Sequence, residues 1–268
     1  MATDVDRQAI IDGHAESLAG IDAAAALGRS LASGIDRIYF VSCGGPNRLM
    51  LTLEYWVQHF SPSLEVRRYF PAEFITQNPP RIDARTLVML GSKSGTTPET
   101  VEAAQFVAGK PCKTVAFTTS ADLPLAKAVQ HVLLTGEAPG ATAAQFMLGM
   151  AFLGGLLAGK DGWPLFDKLM SSLRALPEAM ADASIQGDRQ ARDDARLLKD
   201  DRILYHVAAG PVFSTAYCIG VCVLMEMQWM HSVALEAAEF FHGPFEIVDQ
   251  NTPLVLMKGE DPSRPLMD

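Results

Sequence analysis

The sequence has few basic residues, and this scarcity excludes one large class of partners. Its 22 lysine and arginine residues are outnumbered by 31 aspartate and glutamate residues, which gives a formal net charge of −9. Nucleic acids are bound by basic surfaces that neutralise phosphates, whereas the basic residues here are scattered along the chain. We therefore expect no nucleic-acid partner.

Cysteine is also scarce, and metal-binding patterns are missing. The four cysteines match no metal or redox spacing. Two of them, Cys218 and Cys222, are one helical turn apart in an apolar stretch, which is typical of thiols in a core. The histidines and carboxylates lack zinc-ligand spacing, and no Ser/His/Asp order with a nucleophile elbow occurs. The sequence therefore predicts a protein without a metal.

Long hydrophobic runs are absent as well. The longest run, Phe146–Ala158, contains three glycines and is too short to cross a bilayer, so it predicts a buried helix. The first residues, Met1–Asp6, are acidic and have no apolar segment of the kind that secretory signals contain. We expect a cytoplasmic protein without membrane contact. A chain of 268 residues, 49% hydrophobic and 20% charged, can form one large or two medium α/β domains.

The most informative stretch runs from Leu87 to Val101. It opens with four apolar residues, which predict a buried parallel strand, and continues with the small-residue loop Gly-Ser-Lys-Ser-Gly. A helix start follows, for which two caps are possible. Thr96 can pair with Glu99 in a capping box, or Thr97 can precede Pro98 at the first helical position.

This loop has the features of a phosphate site. Backbone N–H groups, the positive end of the helix and several hydroxyls converge there, and a dianionic phosphate fits such a site. An ordinary Ser/Thr-rich βα turn is the alternative. The loop has neither a Walker ending nor the Gly-x-Gly-x-x-Gly spacing, which argues against a nucleoside triphosphate or a dinucleotide. The candidate ligands of the phosphate are Ser92, Lys93, Ser94 and Thr97.

Strand and helix patterns alternate around the loop and predict a doubly wound parallel sheet. In such sheets, ligands bind beyond the carboxyl ends of the strands, where the phosphate loop would lie. Helices are predicted around 5–33, 49–60 and 123–128, and helical patterns cover 142–198. The predicted strands are Ile38–Ser42, Leu64–Tyr69, Leu87–Leu90, Thr114–Phe117 and His131–Leu134.

An internal repeat divides the chain. Asp36-Arg37-Ile38 and Gly45-Pro46 recur as Asp201-Arg202-Ile203 and Gly210-Pro211 at a constant offset of 165. Ungapped identities of this kind indicate a structural repeat, with chance similarity between two buried strands as the alternative. We predict an N-terminal helical lead-in at 1–34, a first unit at 35–160, a helical connector at 161–199 and a second unit at 200–268.

The second unit differs from the first at the loop and at its end. The segment Leu254–Met257 corresponds to the strand before the phosphate loop, but Lys258–Pro262 follows it and contains two carboxylates, which would repel a phosphate. We expect one phosphate per chain, bound in the first unit. The second unit has no counterparts of the strands at 114–117 and 131–134. It is either unusually short or, as we expect, truncated relative to a longer protein.

Glu226 is a candidate general base. On a helix its same-face neighbours would be Cys222, Val223, Trp229 and Met230, all of them apolar. A carboxylate held against such a surface should have a raised pKa, as a base that works near neutrality requires. The alternative is a structural glutamate paired with a basic group, and the sequence favours neither interpretation.

His242 is a candidate acid, because it precedes Gly243-Pro244, where a helix should stop. The negative helix end favours a protonated imidazole, which can donate a proton to a substrate. A structural capping histidine is the commoner explanation for such a position. We predict that His231 lies mid-helix in a core or interface and that His206 is a structural residue in a strand.

Two motifs carry a resemblance to a known family. Ser92-Lys93-Ser94-Gly95-Thr96-Thr97 resembles the Ser-x-Ser-Gly-x-Thr loop by which sugar isomerase (SIS) domains hold the phosphate of a sugar phosphate. Glu226, followed sixteen residues later by His242 of a His-Gly-Pro segment, is similar to the isomerase half of glucosamine-6-phosphate synthase. The resemblance covers Ile38 to Asp249. It implies two SIS units of flavodoxin-like α/β fold, each a doubly wound parallel sheet flanked by helices.

The resemblance also implies roles for residues. Glu226 would move a proton between C1 and C2 of the sugar, and His242 of a neighbouring subunit would assist ring opening in a homodimer with shared active sites. Gly45 and Pro46 of this chain replace a threonine and a serine of the synthase. Some of the synthase's contacts with the phosphate and the sugar are therefore absent. Gly45 remains a candidate substrate contact. Lys93 replaces a glutamine and either adds charge at the phosphate or faces solvent.

The direction of the reaction follows from a missing domain. The synthase takes ammonia from a glutaminase domain with an N-terminal cysteine, and this sequence has neither, so the resemblance implies release of an amine. The segment Glu239–Glu246 looks like fructosamine-6-phosphate deglycases, which implies a small sugar-phosphate substrate and no metal or organic cofactor. The alternatives are an aminosugar-phosphate deaminase or an aldose–ketose phosphate isomerase, and third a non-enzymatic sugar-phosphate sensor.

Overall fold

The chain folds as two compact units joined within a helix. The computed structural model describes residues 4–137 and 141–268. The first unit is Met1–Gln186 and the second is Gly187–Asp268. The boundary lies inside the helix Phe166–Leu198, which occupies most of the predicted connector.

The first unit is built on a parallel sheet of five strands in the order β2-β1-β3-β4-β5. β1 lies between β2 and β3, so the chain first crosses to one side of β1 and then returns to the other, which makes the sheet doubly wound. The five predicted strands are confirmed to within one residue at each end. Their bounds are β1 Arg37–Ser42, β2 Glu65–Tyr69, β3 Thr86–Gly91, β4 Lys113–Thr118 and β5 His131–Leu134.

Helices cover both faces of this sheet. Ile38 and Phe40 of β1 belong to the larger core cluster, with the helices α2, α3, α7 and the start of α8, while Tyr39 and Val41 belong to a second cluster with α4 and α5. This alternation is expected of a strand that is buried on both faces. The helix bounds are α1 Arg7–Gly13, α2 Ala15–Leu31, α3 Gly44–Phe60, α4 Pro71–Gln77, α5 Pro98–Ala108, α6 Pro124–Lys127, α7 Ala141–Asp161 and α8 Phe166–Leu198.

Glycines allow α2 and α7 to pack backbone against backbone. A Cβ atom added to Gly28 would collide with the carbonyl oxygen of Phe152, and one added to Gly155 would collide with that of Ala25. Each helix therefore presents a glycine where the backbone of the other approaches. This packing explains why a stretch rich in alanine and glycine forms part of the main core.

The second unit contains a parallel sheet of three strands in the order β7-β6-β8, with β6 at Leu204–Ala208, β7 at Ser232–Glu236 and β8 at Leu254–Met257. This order is the same as that of β2-β1-β3 within the five-stranded sheet of the first unit. The helical segments are α9 Phe213–Tyr217, a π-helix Cys218–Met225, α10 Glu226–Gln228 and α11 Ala237–Phe240.

Two predictions for the second unit need correction. The helix around Glu226 ends at Gln228, because Trp229 adopts a left-handed conformation with φ of 58°, and His231 is therefore an exposed residue before β7 rather than a mid-helix residue. The glycine with positive φ after the first strand is Gly44 in unit one and Gly210 in unit two. The sequence alignment, which pairs Gly45 with Gly210, therefore differs by one residue from the pairing of these two glycines by conformation.

Two segments are long and apolar enough to cross a membrane by length and composition, Thr142–Asp161 and Gly210–Gln228. The first lies mostly inside the core of its unit, where its side chains pack against the sheet and α2. Its apolar character is therefore explained by burial, in agreement with the predicted buried helix. The second segment contains the π-helix and is less buried within its unit.

Candidate active site

The phosphate loop lies at the carboxyl end of β3, one strand from β1, where a doubly wound sheet has its ligand crevice. Ser92 is buried, and its hydroxyl forms a hydrogen bond with that of Thr97 at 2.7 Å and lies 3.4 Å from that of Ser94. It also accepts the backbone N–H of Gly95 at 3.1 Å. The structure therefore brings together the three predicted hydroxyls at the start of α5.

The second of the two predicted helix caps is the one observed. α5 begins at Pro98 with Thr97 as its N-cap, but the Thr97 side chain makes no capping bond to the helix. It bonds to Ser92 instead. The hydroxyl of Thr97 is thus held in the loop in front of the helix N-terminus, where a bound anion would lie.

The neighbouring loop after β4 holds the phosphate loop in shape. The hydroxyls of Thr118 and Thr119 donate to the Lys93 carbonyl at 3.4 and 3.2 Å. Gly95 has a φ of 61°, and a Cβ atom there would lie 2.6 Å from the Leu123 Cβ and 2.7 Å from the Thr118 hydroxyl. Only glycine fits both the backbone conformation and the space.

The other predicted contacts of the first unit lie around the loop. The side chains of Lys93 and Ser94 are exposed, whereas Ser92 is enclosed and shapes the loop from within. Gly45 lies in the first turn of α3, which starts after β1, and a Cβ atom there would have the Thr142 hydroxyl as its nearest neighbour at 3.8 Å. The space above Gly45 is therefore open.

The second unit holds the candidate base and acid. Glu226 is exposed within this unit, directly after the π-helix. Trp229, which the sequence places on the same helix face, lies beyond the helix end and is 89% exposed. The prediction of an apolar face around Glu226 is therefore wrong for Trp229 and Met230. The π-helix itself departs from the 3.6-residue period on which that prediction depends, and such segments are frequent at functional sites.

His242 follows α11, and its backbone N–H bonds to the Glu239 carbonyl at 2.9 Å. The helix ends before Gly243, which has a φ of 143°, so the predicted stop is confirmed. The His242 side chain is exposed within the unit. His206, by contrast, is buried in β6 and bonds to the Ser232 hydroxyl at 3.0 Å, and its burial lowers its pKa.

Sequence reasoning did not single out Glu236. This residue ends β7 and precedes α11, so its carboxylate starts from the carboxyl end of the second sheet. It is half-buried, and burial raises its pKa. A strand predicted at 232–236 would have placed Glu236 at the end of a strand. The sequence does not indicate this strand, because neither the π-helix nor the left-handed Trp229 has a sequence pattern that marks the end of the helix.

Among residues 4–137 and 141–268, no three histidine, cysteine, aspartate or glutamate side chains are grouped so that they could hold a metal ion. The described chain offers hydroxyls, carboxylates, imidazoles, free thiols and cationic side chains for chemistry. These can bind an anion and transfer protons.

Comparison with known sequences identifies relatives over most of the chain. The chain is 36% identical over 234 residues to the fructosamine deglycase FrlB of Bacillus subtilis, covering 87% of this chain and 71% of that protein. It is 35% identical over 257 residues to the agropine synthesis conjugase of Rhizobium rhizogenes, covering 94% and 72%. The fructoselysine 6-phosphate deglycase of Escherichia coli K12 is 32% identical over 232 residues, covering 86% and 67%.

Comparison of structures gives the same result. A Bacillus subtilis crystal structure described as a phosphosugar isomerase matches with a TM-score of 0.84 at 34% identity, over 97% of this chain and 78% of that one. The family model of the SIS domain matches residues 33–154, which include all five strands of the first sheet and the phosphate loop. The chain therefore belongs to the SIS family and is an enzyme of the sugar-phosphate isomerase type.

Proposed function

We propose that the chain is a deglycase that cleaves a 6-phosphorylated fructosamine into glucose 6-phosphate and a free amino acid. The observation that carries the proposal is the cluster of three hydroxyls at the start of α5, in a chain whose similar relatives include proteins named fructosamine deglycase and fructoselysine 6-phosphate deglycase. The hydroxyls support binding of the phosphate. The names of the relatives suggest that the bond between the sugar and the amine is the one that is cleaved.

Glu226 and His242 would perform the proton transfers. His242 donates a proton to the ring oxygen and so opens the sugar. Glu226 then removes a proton from C1 of the open ketosamine, which gives an enaminol, and a proton returned to C2 gives an imine at C1. Water adds to the imine and the amine leaves, so that C1 becomes the aldehyde of glucose 6-phosphate. Each step is general acid–base chemistry and needs no redox partner.

The test is to incubate the protein with 6-phosphorylated fructosamines and to measure both glucose 6-phosphate and free amino acid. We expect the two products in equal amounts. Fructose 6-phosphate and glucosamine 6-phosphate serve as matched controls for isomerase and deaminase activity. Turnover of either control sugar, without release from any fructosamine, would overturn the proposal and favour the corresponding alternative.

A second direction is favoured by the relative named agropine synthesis conjugase, which matches 94% of the chain. The same proton transfers in reverse join an amine to the sugar, since an enzyme accelerates both directions of a reaction. Supplying glucose 6-phosphate and an amino acid and measuring the ketosamine by mass spectrometry would detect this reaction. Formation of the conjugate would show that the chain also catalyses the joining direction, with the net direction set by the concentrations of sugar phosphate, amine and ketosamine.

The proposal includes a second SIS unit and a homodimer in the cytoplasm. The order β7-β6-β8 supports the second unit because it repeats that of β2-β1-β3. Exposed apolar side chains in the second unit support an interface, because large exposed apolar surface marks contacts between proteins. They include Val223, Met225, Met227, Trp229, Phe241, Phe245 and Ile247.

The shared active sites of such a dimer can be tested by complementation. An inactive Glu226→Gln protein is mixed with an inactive His242→Ala protein and subunits are allowed to exchange. If each site takes the two residues from different subunits, mixed dimers regain one intact site, and activity recovers towards about a quarter of wild type at equal mixing. No recovery after proven exchange would overturn the shared site.

A further inference from the structure

The second unit contains a cavity on one face of its sheet, and neither Glu226 nor His242 lines it. Its volume is about 560 Å³, which lies within the range of roughly 300–1,000 Å³ that small-molecule sites have. The floor is formed by alternate residues of β6, Leu204 and His206, and by Val255, which pairs with His206 in the neighbouring strand β8. One face of the sheet is therefore open to a small molecule.

Helical segments complete the cavity. On α8, the small or apolar side chains of Ala191, Ala195 and Leu198 are spaced as one face of a helix, and all three line the cavity. Another part of the wall contains Leu224 of the π-helix and Met230, whose backbone N–H donates to the Leu224 carbonyl at 2.9 Å. This bond closes the end of the helix and so fixes the two side chains relative to each other.

His206 is the buried polar side chain of the cavity. It is 2% exposed, and its Nδ1 lies 3.0 Å from the Ser232 hydroxyl. The π-helix covers the same edge of the ring, since a Cβ atom at Gly220 would lie 2.8 Å from that hydroxyl and 3.8 Å from Nδ1. With Nδ1 enclosed in this way, Nε2 is the ring nitrogen that is left to face the cavity. Among the residues that the structure describes, Ser232 alone forms a hydrogen bond with this ring.

The charges around the cavity favour an uncharged ligand. Burial lowers the pKa of His206, so its imidazole is neutral at neutral pH. Asp194 and Lys199 line the cavity with exposed side chains, and each has a partner: Asp194 accepts the Gln190 amide at 2.7 Å, and Lys199 is paired with Asp200 at 2.5 Å. A charge carried to the floor of the cavity would therefore be buried without a compensating group.

The polar group that fits beside His206 is a hydroxyl. A neutral imidazole offers Nε2 as a donor in one tautomer and as an acceptor in the other, and a hydroxyl can pair with either form because it both donates and accepts. The hydroxyl of a ligand would take the place at Nε2 that the Ser232 hydroxyl takes at Nδ1.

Two methionines favour an aromatic ring as the body of the ligand. Met257 lies two residues after Val255 on the sheet face, and Met230 follows the end of the helix, so thioethers line the cavity from two different segments. Thioether sulfur makes favourable contacts with aromatic rings, and the unbranched side chain adapts to their shape. An aromatic ring also buries a large apolar surface with few rotatable bonds.

We propose that this cavity binds an uncharged aromatic molecule with one hydroxyl group, and that the hydroxyl forms a hydrogen bond with Nε2 of His206. The site is distinct from the candidate active site, because none of the residues placed in the reaction lines it. The proposal does not rest on the deglycase function, and its test requires no turnover.

The experiment uses p-cresol and toluene as probes, because they differ only in the hydroxyl. Binding of each probe to the full chain is measured by NMR titration. We expect the wild type to bind p-cresol more tightly than toluene. His206→Leu should weaken p-cresol binding about tenfold and change toluene binding by less than twofold, because only p-cresol loses a hydrogen bond. His206→Gln, which keeps a hydrogen-bonding group, should recover part of the loss.

A second pair of variants tests the cavity itself. Ala195→Phe places a ring in the cavity from an exposed position of α8 and should abolish binding of both probes. Ala179→Phe, at an exposed position of the same helix that does not line the cavity, is the matched control and should affect neither. Thermal unfolding checks that each variant keeps its fold. The proposal is overturned if p-cresol does not bind the wild type, or if it binds His206→Leu or Ala195→Phe as tightly as the wild type.

Discussion

The loop after β3 and the loop after β8 occupy the same place in two sheets of the same strand order, but they differ in chemistry. The first presents hydroxyls that meet around Ser92 at the start of an eleven-residue helix. The second presents two carboxylates: Glu260 bonds to Arg264 at 2.9 Å, and Asp261 accepts the backbone N–H of Ser263 at 3.0 Å. A shared framework therefore does not imply a shared ligand.

The two loops differ in charge. The loop of unit one presents uncharged hydroxyls in front of a helix N-terminus, which suit a dianion, whereas the loop of unit two presents two carboxylates. The acidic loop after β8 would repel a phosphate, and Glu260 in it is already paired with Arg264. Sheets that share a strand order can thus carry loops of different chemistry.

The largest expected effect is on turnover, through unit two. Glu226→Gln keeps the shape of the side chain and removes the base, so kcat should fall by roughly 10² or more while substrate still binds. Steady-state kinetics and binding of substrate to the variant measure the two quantities separately. Glu260→Gln, in the exposed loop after β8, is the control and should leave kcat unchanged. Normal turnover in Glu226→Gln, combined with easier unfolding, would indicate a structural glutamate.

The next effect is on affinity, through unit one. Ser94→Ala and Thr97→Ala each remove a hydroxyl donor to the phosphate, which should weaken binding by about 1.5–3 kcal/mol, or tenfold or more. Binding of glucose 6-phosphate, followed by titration calorimetry, measures this loss without turnover. Ser172→Ala, which removes an exposed hydroxyl on α8, should have no effect. If affinity is unchanged in both loop variants, the phosphate is bound elsewhere.

A third prediction concerns the stability of unit one, in which α2 and α7 pack closely through glycines. The described residues of unit two contain no such contact between two helices. Gly155→Ala forces α7 away from α2 and should lower the free energy of unfolding by about 1–3 kcal/mol. Urea unfolding followed by circular dichroism measures the change. In Gly187→Ala, where the added methyl meets nothing, the helix should instead gain roughly 0.5–1 kcal/mol. Equal stability of the two variants would contradict the close packing of α2 and α7.

The smallest effect is a pH dependence of unit two. Burial lowers the pKa of His206, so the folded state keeps the imidazole neutral while the unfolded chain takes up a proton below about pH 6.5. Stability from this residue is present above that pH and is lost as the pH falls. In thermal unfolding between pH 5 and 8, the melting temperature of the wild type should fall as the pH falls. The fall should be smaller in His206→Asn. His59→Asn, at an exposed histidine of unit one, should leave it unchanged.

Much of unit one could be predicted from the sequence because its signals are local. Short apolar stretches between helical patterns mark β1 to β5, and the run of hydroxyls before Pro98 marks the loop. The choice between the two helix caps could not be made, because it depends on a hydrogen bond between Ser92 and Thr97 that closes only in the folded loop.

Unit two was harder to predict because its deviations from regular structure leave no pattern. The π-helix breaks the 3.6-residue period, and a left-handed tryptophan ends the helix where glycine or asparagine is usual. From sequence alone, β7 cannot be distinguished from the helix before it. The surroundings of Glu226 and the raised pKa of Glu236 therefore cannot be predicted. The roles of Glu226 and His242 stay predictions.

The boundary between the units inside α8 has a consequence for attempts to dissect the protein. Proteases bind extended chain and cleave most readily at exposed loop tips. The junction at residues 186–187 lies in a helix of 33 residues whose later part carries the ion pair of Arg192 with Asp188. Limited proteolysis should therefore not separate the halves cleanly, and a cut designed at the junction would leave each fragment with a severed helix end. For genetic dissection, the whole of α8 belongs on one fragment.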